Sequence, residues 1–188
     1  SILRSLELPG LRLPVSKPPQ KVSFDFLQQE KQLSWPICWN DPNWPRLWQF
    51  HLHYFDWARD WIELALISGQ WPDQAALLEP LIDRWIQANS PGRGDGWHSY
   101  TLSLRSRNWI WLIRSCPQLA TPSRIQSLWQ QLLWLQAHPE HCHGGNHWLE
   151  NLTALALGGL QFAGAEAQAM HSRAMRLLQK ELSCQVLA

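Results

Sequence analysis

The stretch PRLWQFHLHYFDWARDWIELALI, residues 45–67, decides the fold class because its apolar side chains recur at the spacing of a helix. Side chains three or four residues apart share one face of an α-helix. The residues on this predicted face are Leu47, Phe50, Tyr54, Trp57, Trp61, Leu64 and Ile67. The stretch therefore predicts one amphipathic helix over 45–67, ended by Ser68-Gly69.

The same periodicity predicts more helices on the C-terminal side of this stretch. They cover residues 73–88, 101–115, 121–135, 147–162 and 165–186. Pro80 is expected to kink or delay the first of these, because proline removes a helical N–H donor. The loops predicted between these helices are short, and short loops place consecutive helices antiparallel. We therefore predict an all-α fold of helical hairpins over 44–188. Residues 1–43 are predicted to be loops and extended pieces, including VSFDFL at 22–27.

The composition excludes several classes of protein. Hydrophobic residues make up 45% and the formal net charge is +1, which favours a folded core and no nucleic-acid partner. No apolar run approaches the roughly 20 residues that span a bilayer. The N-terminal stretch shows no signal peptide, so a cytoplasmic location is the default, and a periplasmic or secreted one stays open. The four cysteines are scattered, and no disulfide framework is expected.

Tryptophan is unusually frequent, with 14 residues against two tyrosines. Many tryptophans are typical of a core packed from helices, since each indole buries a large apolar area. They are also typical of carbohydrate clefts, where indole faces lie against sugar rings. Composition alone leaves both interpretations open.

Residues 138–151, HPEHCHGGNHWLEN, contain half of the histidines of the chain. Zinc binds imidazole and thiolate, which makes a zinc-binding helical protein one hypothesis. The possible ligands are His138, His141, Cys142, His143 and His147. Their spacing matches no standard zinc pattern and no HExxH is present, so we predict neither a metal nor a cofactor.

Gly144-Gly145-Asn146-His147 stands directly before a predicted helix. Two glycines allow a sharp turn, and a helix N-terminus favours an anion. The side chains of Asn146 and His147 could both donate to a carboxylate there. Donors that neutralise a uronate carboxylate stabilise the charge that develops when the neighbouring proton is removed. The alternative is that Asn146 only caps its own helix.

Three blocks, in this order, resemble the N-terminal helical domain of the heparinase II/III-like polysaccharide lyases, which are related to some alginate lyases. The blocks are VSFDFLQQEKQLSWPICWNDPNWPRLWQFHLHYFDWARDW at 22–61, GWHSYTLSLRSRNWIWLI at 96–113 and GGNHWLENLTALALGGLQFAG at 144–164. The resemblance implies part of an incomplete (α/α) toroid, followed in the family by β-sheet domains. It also implies β-elimination at a uronic acid, with Asn146 neutralising the carboxylate and His147 helping to bind the substrate.

The chain departs from the family pattern at its C-terminus. The family's catalytic tyrosine follows the Asn-His pair by several tens of residues, and a further histidine comes from the β-sheet domains. The sequence given stops at Ala188, before that stretch, and Tyr54 and Tyr100 do not match that tyrosine. We therefore expect no lyase activity from this chain alone, and we expect exposed helix faces that favour self-association.

Other candidate substrate-binding residues lie beside the second and third blocks. Arg105 could pair with a sugar carboxylate or with a structural acid. His98 and Tyr100 could line the cleft or pack locally, and Trp97 and Trp148 are the candidates for stacking on sugar rings. The leading hypothesis is the helical part of a lyase acting on an anionic polysaccharide. The alternative is a non-catalytic helical module that binds a glycan or another chain.

Overall fold

The computed structural model describes residues 20–68, 71–140 and 146–186, and it is mostly helical with one small sheet. The elements in chain order are β1 (Lys21–Phe26), β2 (Gln29–Ser34), α1 (Arg46–Tyr54), α2 (Asp56–Ser68), α3 (Trp71–Ala88), α4 (Ser99–Ser115), α5 (Pro122–Ala137), α6 (Asn146–Gln161) and α7 (Ala165–Val186). The predicted helical class is confirmed. No helix within the described ranges has the length and apolar character needed to cross a bilayer.

The two strands form an antiparallel hairpin in which Phe26 stands opposite Gln29. Leu27 and Gln28 make the turn with φ values of 57° and 60°, the left-handed region that a two-residue type I′ turn requires. The extended piece predicted at 22–27 is confirmed, but its partner strand was missed. The usual signal for such a turn, Asn-Gly or Asp-Gly, is absent at residues 27–28.

One face of the hairpin belongs to the core. Val22 and Phe24 alternate with exposed residues along β1 and are buried, as is Leu33 on β2. The ring of Phe24 lies 4.9 Å from that of Trp57 and 5.8 Å from that of Trp61. The hairpin therefore covers α2 and fixes the N-terminal segment to the helices.

The prediction of one helix over 45–67 is wrong, because the chain breaks at Phe55. Phe55 has a φ of 63° and is fully buried between α1 and α2. Three residues of the predicted apolar face are exposed, one in α1 and two in α2. Leu47 is 54% exposed, Leu64 65% and Ile67 85%.

The last turn of α1 is capped by side chains from elsewhere in the fold. A helix end leaves carbonyl groups without intrahelical partners, and burying them unpaired costs free energy. Here each carbonyl accepts from a side chain: Leu52 from Trp57 Nε1 at 3.1 Å, His53 from Arg105 Nη1 at 3.3 Å, and Tyr54 from Asn108 Nδ2 at 2.9 Å. Two of the three donors belong to α4, so α4 stabilises the break.

The helices pack both as consecutive pairs and through contacts between alternate helices. Consecutive helices pair as α2 with α3, α4 with α5, and α6 with α7. Contacts also join alternate helices: α4 contacts both α2 and α6, and α5 contacts α3. Pro80 does not interrupt α3. The core between these helices contains the buried tryptophans Trp39, Trp48, Trp57, Trp85, Trp97 and Trp109, which favours packing as the role of these six.

Two neighbouring glycines of α6 offer a matched test of its packing on α7. A Cβ at Gly159 would lie 2.6 Å from the backbone oxygen of Ala167 and 2.6 Å from the backbone nitrogen of His171. The three atoms nearest to a Cβ at Gly158 all belong to the side chain of Leu132, the closest at 2.6 Å. Backbone atoms cannot move aside as a leucine tip can. Gly159 is therefore the residue that permits the close approach of the two helices.

We expect Gly159→Ala to lower the free energy of unfolding by about 2 kcal/mol, the usual range for overpacking. Gly158→Ala gains helix propensity, up to about 1 kcal/mol, while Leu132 rotates, so its change is close to zero. Urea unfolding followed by circular dichroism measures both variants. Equal losses at the two positions would contradict this difference in packing.

Candidate functional site

A cleft of about 340 Å³ opens between α1, the start of α4 and the start of α6. Its lining residues are Arg46, Leu47, Phe50, Tyr54, His98, Tyr100, Thr101 and His147. Arg46, Phe50 and Tyr54 follow one another at four-residue intervals, so they form one stripe along α1. His98 directly precedes α4, Tyr100 lies in its first turn, and His147 lies in the first turn of α6.

Aromatic rings form a continuous wall along this cleft. Phe50 stacks on Tyr54 with 6.5 Å between ring centroids, and Tyr54 meets Tyr100 edge to face at 6.0 Å. Tyr100 in turn stacks on the imidazole of His147 at 4.0 Å. Such rings can lie against the apolar faces of sugars, as tryptophan does in many carbohydrate sites.

The two tyrosines of the wall hold their protons at neutral pH. Burial is the main cause that raises the pKa of Tyr54 to about 12, and the neighbouring Tyr100 adds to the shift. Burial also raises the pKa of Tyr100, with Glu150 as the next cause. Both hydroxyls are therefore hydrogen-bond donors and acceptors in the cleft rather than bases.

One cation stands at the rim of the cleft. The guanidinium of Arg46 binds both oxygens of Asp95, at 2.7 and 2.9 Å. This hydrogen bonding is the main cause that lowers the pKa of Asp95 from its ordinary value. The pair is exposed, so its net contribution to stability is small.

A nearly buried carboxylate lies behind the two histidines. The side chain of Glu140 is 13% exposed, and its oxygens lie 3.4 Å from His98 Nε2 and 3.5 Å from His147 Nδ1. Glu140 follows α5, and residues 141–145 lie outside the described residues. The two histidines thus contact the same acid from different helices.

The predicted residues Asn146 and His147 begin α6, one position earlier than the predicted helix start. The side chain of Asn146 is exposed, and that of His147 is 41% exposed and lines the cleft. Gly144-Gly145, the predicted sharp turn, lies outside the described residues. His147 therefore lines the cleft together with His98 and Tyr100, whereas Asn146, its neighbour in the chain, is exposed and is not among the lining residues.

Arg105 lies in the core rather than in the cleft. It has no exposed surface, and its Nε donates to Gln131 Oε1 at 2.8 Å. Its guanidinium stands 3.8 Å from the ring centroid of Trp85. The structural alternative expected an acidic partner, but the contacts are an amide, a carbonyl and an indole face. In this structure no sugar carboxylate could reach it.

The two tryptophans predicted to stack on sugar lie elsewhere. Trp97 is buried, and its Nε1 donates to the carbonyl of Asn89 at 3.1 Å. Trp148 lines a small apolar groove between α5, α6 and α7, together with Leu152 and Met170. The aromatic surface of the cleft comes instead from Phe50, Tyr54 and Tyr100.

The histidine-rich segment is only partly described. His138 ends α5, where its Nδ1 lies 3.0 Å from the carbonyl of Trp134 and its ring stacks on that indole. His141, Cys142 and His143 lie outside the described residues. In the part of the chain that the structure describes, no group of three or more His, Cys, Asp or Glu side chains is arranged to hold a metal ion.

Several residues of this site were not predicted from the sequence. Arg46, Phe50 and Tyr54 had a signal, their four-residue spacing along α1, but the apolar members were assigned to the core. Glu140 had none, because its contact with His98 joins residues far apart in the chain.

No family model matches this chain, and no curated protein or solved structure matches it either. The resemblance to the heparinase II/III-like lyases therefore stands on the three sequence blocks.

Proposed function

We propose that this chain is the helical part of a polysaccharide lyase that acts on glycans containing uronic acid, and that the cleft binds the glycan. One observation carries this proposal: His147, which directly follows Asn146 at the start of α6, lines one cleft together with an aromatic wall and Arg46. Anionic sugars need donors for the carboxylate and flat apolar surfaces for the ring. This cleft offers both.

The packing of the helices supports the toroid that the resemblance implies. In an (α/α) toroid, hairpins follow one another so that alternate helices form an inner and an outer row. The contacts α2–α4–α6 and α3–α5, with the pairs α2–α3, α4–α5 and α6–α7, have this pattern. We propose that these hairpins are part of an incomplete (α/α) toroid.

Different residues of the site bind the carboxylate and the ring of the sugar. The exposed amide of Asn146 and the guanidinium of Arg46 are donors suited to the carboxylate of a uronate. The rings of Phe50, Tyr54 and Tyr100 supply the apolar surface for the sugar. Neutralising the carboxylate lowers the cost of removing the adjacent proton, which is the step that β-elimination needs.

The proton transfers themselves are assigned to the β-sheet domains of the family and to a later tyrosine. Tyr54 and Tyr100 remain protonated at neutral pH, so neither is suited to remove that proton there. We therefore expect this chain to bind the glycan without cleaving it. A non-catalytic glycan-binding module is the second candidate, and the same two protonated tyrosines favour it.

We expect His147→Ala and Asn146→Ala each to weaken binding of uronate oligosaccharides about tenfold, near 1.4 kcal/mol, as expected for the loss of one hydrogen bond to the ligand. Calorimetry with oligomers of alginate and of a glycosaminoglycan measures the affinity. A neutral cellulose oligomer is the ligand control. Gln126→Ala, an exposed amide on α5, is the variant control.

Equal affinity for uronate and neutral oligomers would overturn the assignment of the cleft. β-Elimination leaves an unsaturated sugar, whose conjugated double bond absorbs ultraviolet light. This absorbance tests whether the chain binds the glycan without cleaving it. A steady rise with this chain alone would show that it contains a complete set of proton-transfer groups. No rise even after addition of the β-sheet domains would favour the binding module.

A further inference from the structure

Glu140 is a carboxylate in an unusual place, between two imidazoles at the back of the cleft. Its side chain is 13% exposed, and its two oxygens face different histidines. Oε1 lies 3.4 Å from Nε2 of His98 and Oε2 lies 3.5 Å from Nδ1 of His147. The lyase resemblance gives this residue no role.

The backbone of Glu140 is fixed from two helices. Its N–H donates to Oδ1 of Asn151 on α6 at 2.9 Å, and Nδ2 of Asn151 donates to Oγ of Ser103 on α4 at 2.8 Å. Ser99 of α4 also binds the carbonyl of His138. The segment that carries Glu140 is thus held in place by fully or largely buried groups.

An ionised carboxylate only accepts hydrogen bonds, whereas a neutral imidazole has one donor and one acceptor nitrogen. The imidazole nitrogen nearest the carboxylate therefore carries the hydrogen. For His147 this is Nδ1, which makes Nε2 the acceptor. For His98 it is Nε2, which makes Nδ1 the acceptor. Metal-binding and catalytic histidines are commonly oriented by a hydrogen bond to a carboxylate. The contacts of Glu140, at 3.4 and 3.5 Å, are longer than an ordinary hydrogen bond, so here it is the charge of the carboxylate that favours a hydrogen on the nitrogen facing it.

We propose that Glu140 is a positioning residue that sets the tautomers of His147 and His98. His147 then presents an acceptor nitrogen, and its partner on a ligand is a hydroxyl group rather than a carboxylate. Resting on the proposed function, this names the recognition chemistry of the cleft: Asn146 and Arg46 take the carboxylate of a uronate, and His147 takes a sugar hydroxyl.

The tautomer is measured directly by long-range proton–nitrogen correlation NMR on the chain without glycan, at about pH 8 where ordinary histidines are neutral. His98→Gln and His147→Gln assign the two signals. We expect wild-type His147 to be protonated on Nδ1, and Glu140→Gln to reduce that fraction. Wild-type His147 protonated mainly on Nε2 would overturn the proposal, whether or not any variant folds.

Two further variants separate position from charge. Glu140→Asp keeps an acceptor, so we expect it to retain more of the Nδ1-protonated form than Glu140→Gln does. Glu150→Gln removes a nearby charge that is paired with Arg107, and we expect the His147 tautomer to stay as in the wild type. If Glu150→Gln shifted the tautomer as much as Glu140→Gln, general charge would be the cause and the positioning role would fail.

The glycan measurement is kept separate from the NMR result. If uronate oligomers bind the wild type, we expect Glu140→Gln to weaken them several-fold, and an unchanged affinity would overturn the recognition role of His147. If the wild type binds no glycan while the tautomers agree with expectation, the proposed function fails and the positioning role of Glu140 stands.

Discussion

We expect the free energy of unfolding to fall by up to about 5 kcal/mol between pH 6.5 and pH 3 through a single imidazole, that of His53. Burial, with the charge of Arg105 as the second cause, lowers the pKa of His53 from 6.5 to about 3. As the pH falls below 6.5, the unfolded chain takes up this proton first. The stabilisation is therefore complete above pH 6.5 and is lost progressively towards pH 3.

The contacts of His53 explain why its neutral form is required. Its Nδ1 accepts from Trp85 Nε1 at 3.0 Å, and its Nε2 lies 3.2 Å from Oδ1 of Asn40. Asn40 then donates to Asn89 Oδ1, and Asn89 donates to the carbonyl of Trp85. Protonating Nδ1 would set two donors against each other inside the core.

Urea unfolding at several pH values from 7 down to about 3.5 measures this loss. His53→Gln has no group that titrates in this range, so its stability should depend less on pH than that of the wild type. His51→Gln, on the same helix and partly exposed, is the matched control and should keep the wild-type dependence. Equal slopes for the wild type and His53→Gln would remove His53 as the cause.

The boundaries of most later helices could be predicted because their signals are local. Thr121-Pro122 predicts the start of α5, and the structure shows Thr121 accepting from the backbone N–H of Arg124. The end of α4 precedes Pro117, and α7 begins directly after Gly164. These signals act within one turn, so one sequence is enough to see them.

The break at Phe55 could not be predicted because its cause is not local. Neither glycine nor proline marks it, and the apolar spacing continues through it. Arg105 and Asn108, which bind the freed carbonyls of α1, lie about fifty residues further along the chain. Tertiary contacts of this kind override the helical period of the segment.

In the candidate site, too, local signals could be predicted from the sequence and tertiary contacts could not. The sequence leads to Asn146 and His147, since a helix start and its flanking glycines are adjacent in the chain. It assigns Arg105 to substrate because a guanidinium fits a carboxylate, and it cannot show that α4 turns this residue inward. Residue type predicts what a side chain can bind, whereas burial decides what it meets.

The second large effect is expected at Arg105, where replacement by alanine should lower the free energy of unfolding by about 4 kcal/mol. The change leaves a cavity against Trp85. It also leaves Gln131 Oε1 and the carbonyl of His53 without this donor. The lost stability also includes the attraction between the guanidinium of Arg105 and the partial negative charge at the C-terminal end of α1.

Arg105 is a cation that the fold stabilises without a neighbouring carboxylate among its described contacts. Burial lowers its pKa well below the ordinary value. The helix end of α1 and the face of Trp85 offset the cost of removing the charge from water. A residue held in this way contributes to the shape of the cleft by fixing α1 against α4, and it does not touch a ligand.

Arg105→Met separates volume from charge. Methionine fills much of the space and needs no water, so we expect a smaller loss of about 2 kcal/mol from the two unpaired acceptors. Arg107→Ala, at a half-buried ion pair on the same helix, should lower the free energy of unfolding by about 1 kcal/mol, less than either change at Arg105. Chemical unfolding of all three variants gives the ranking, and calorimetry with uronate oligomers gives the affinity of the folded fraction. If folded Arg105→Met lost glycan affinity while keeping wild-type stability, Arg105 would be a binding residue, and the cap on α1 would not be its role.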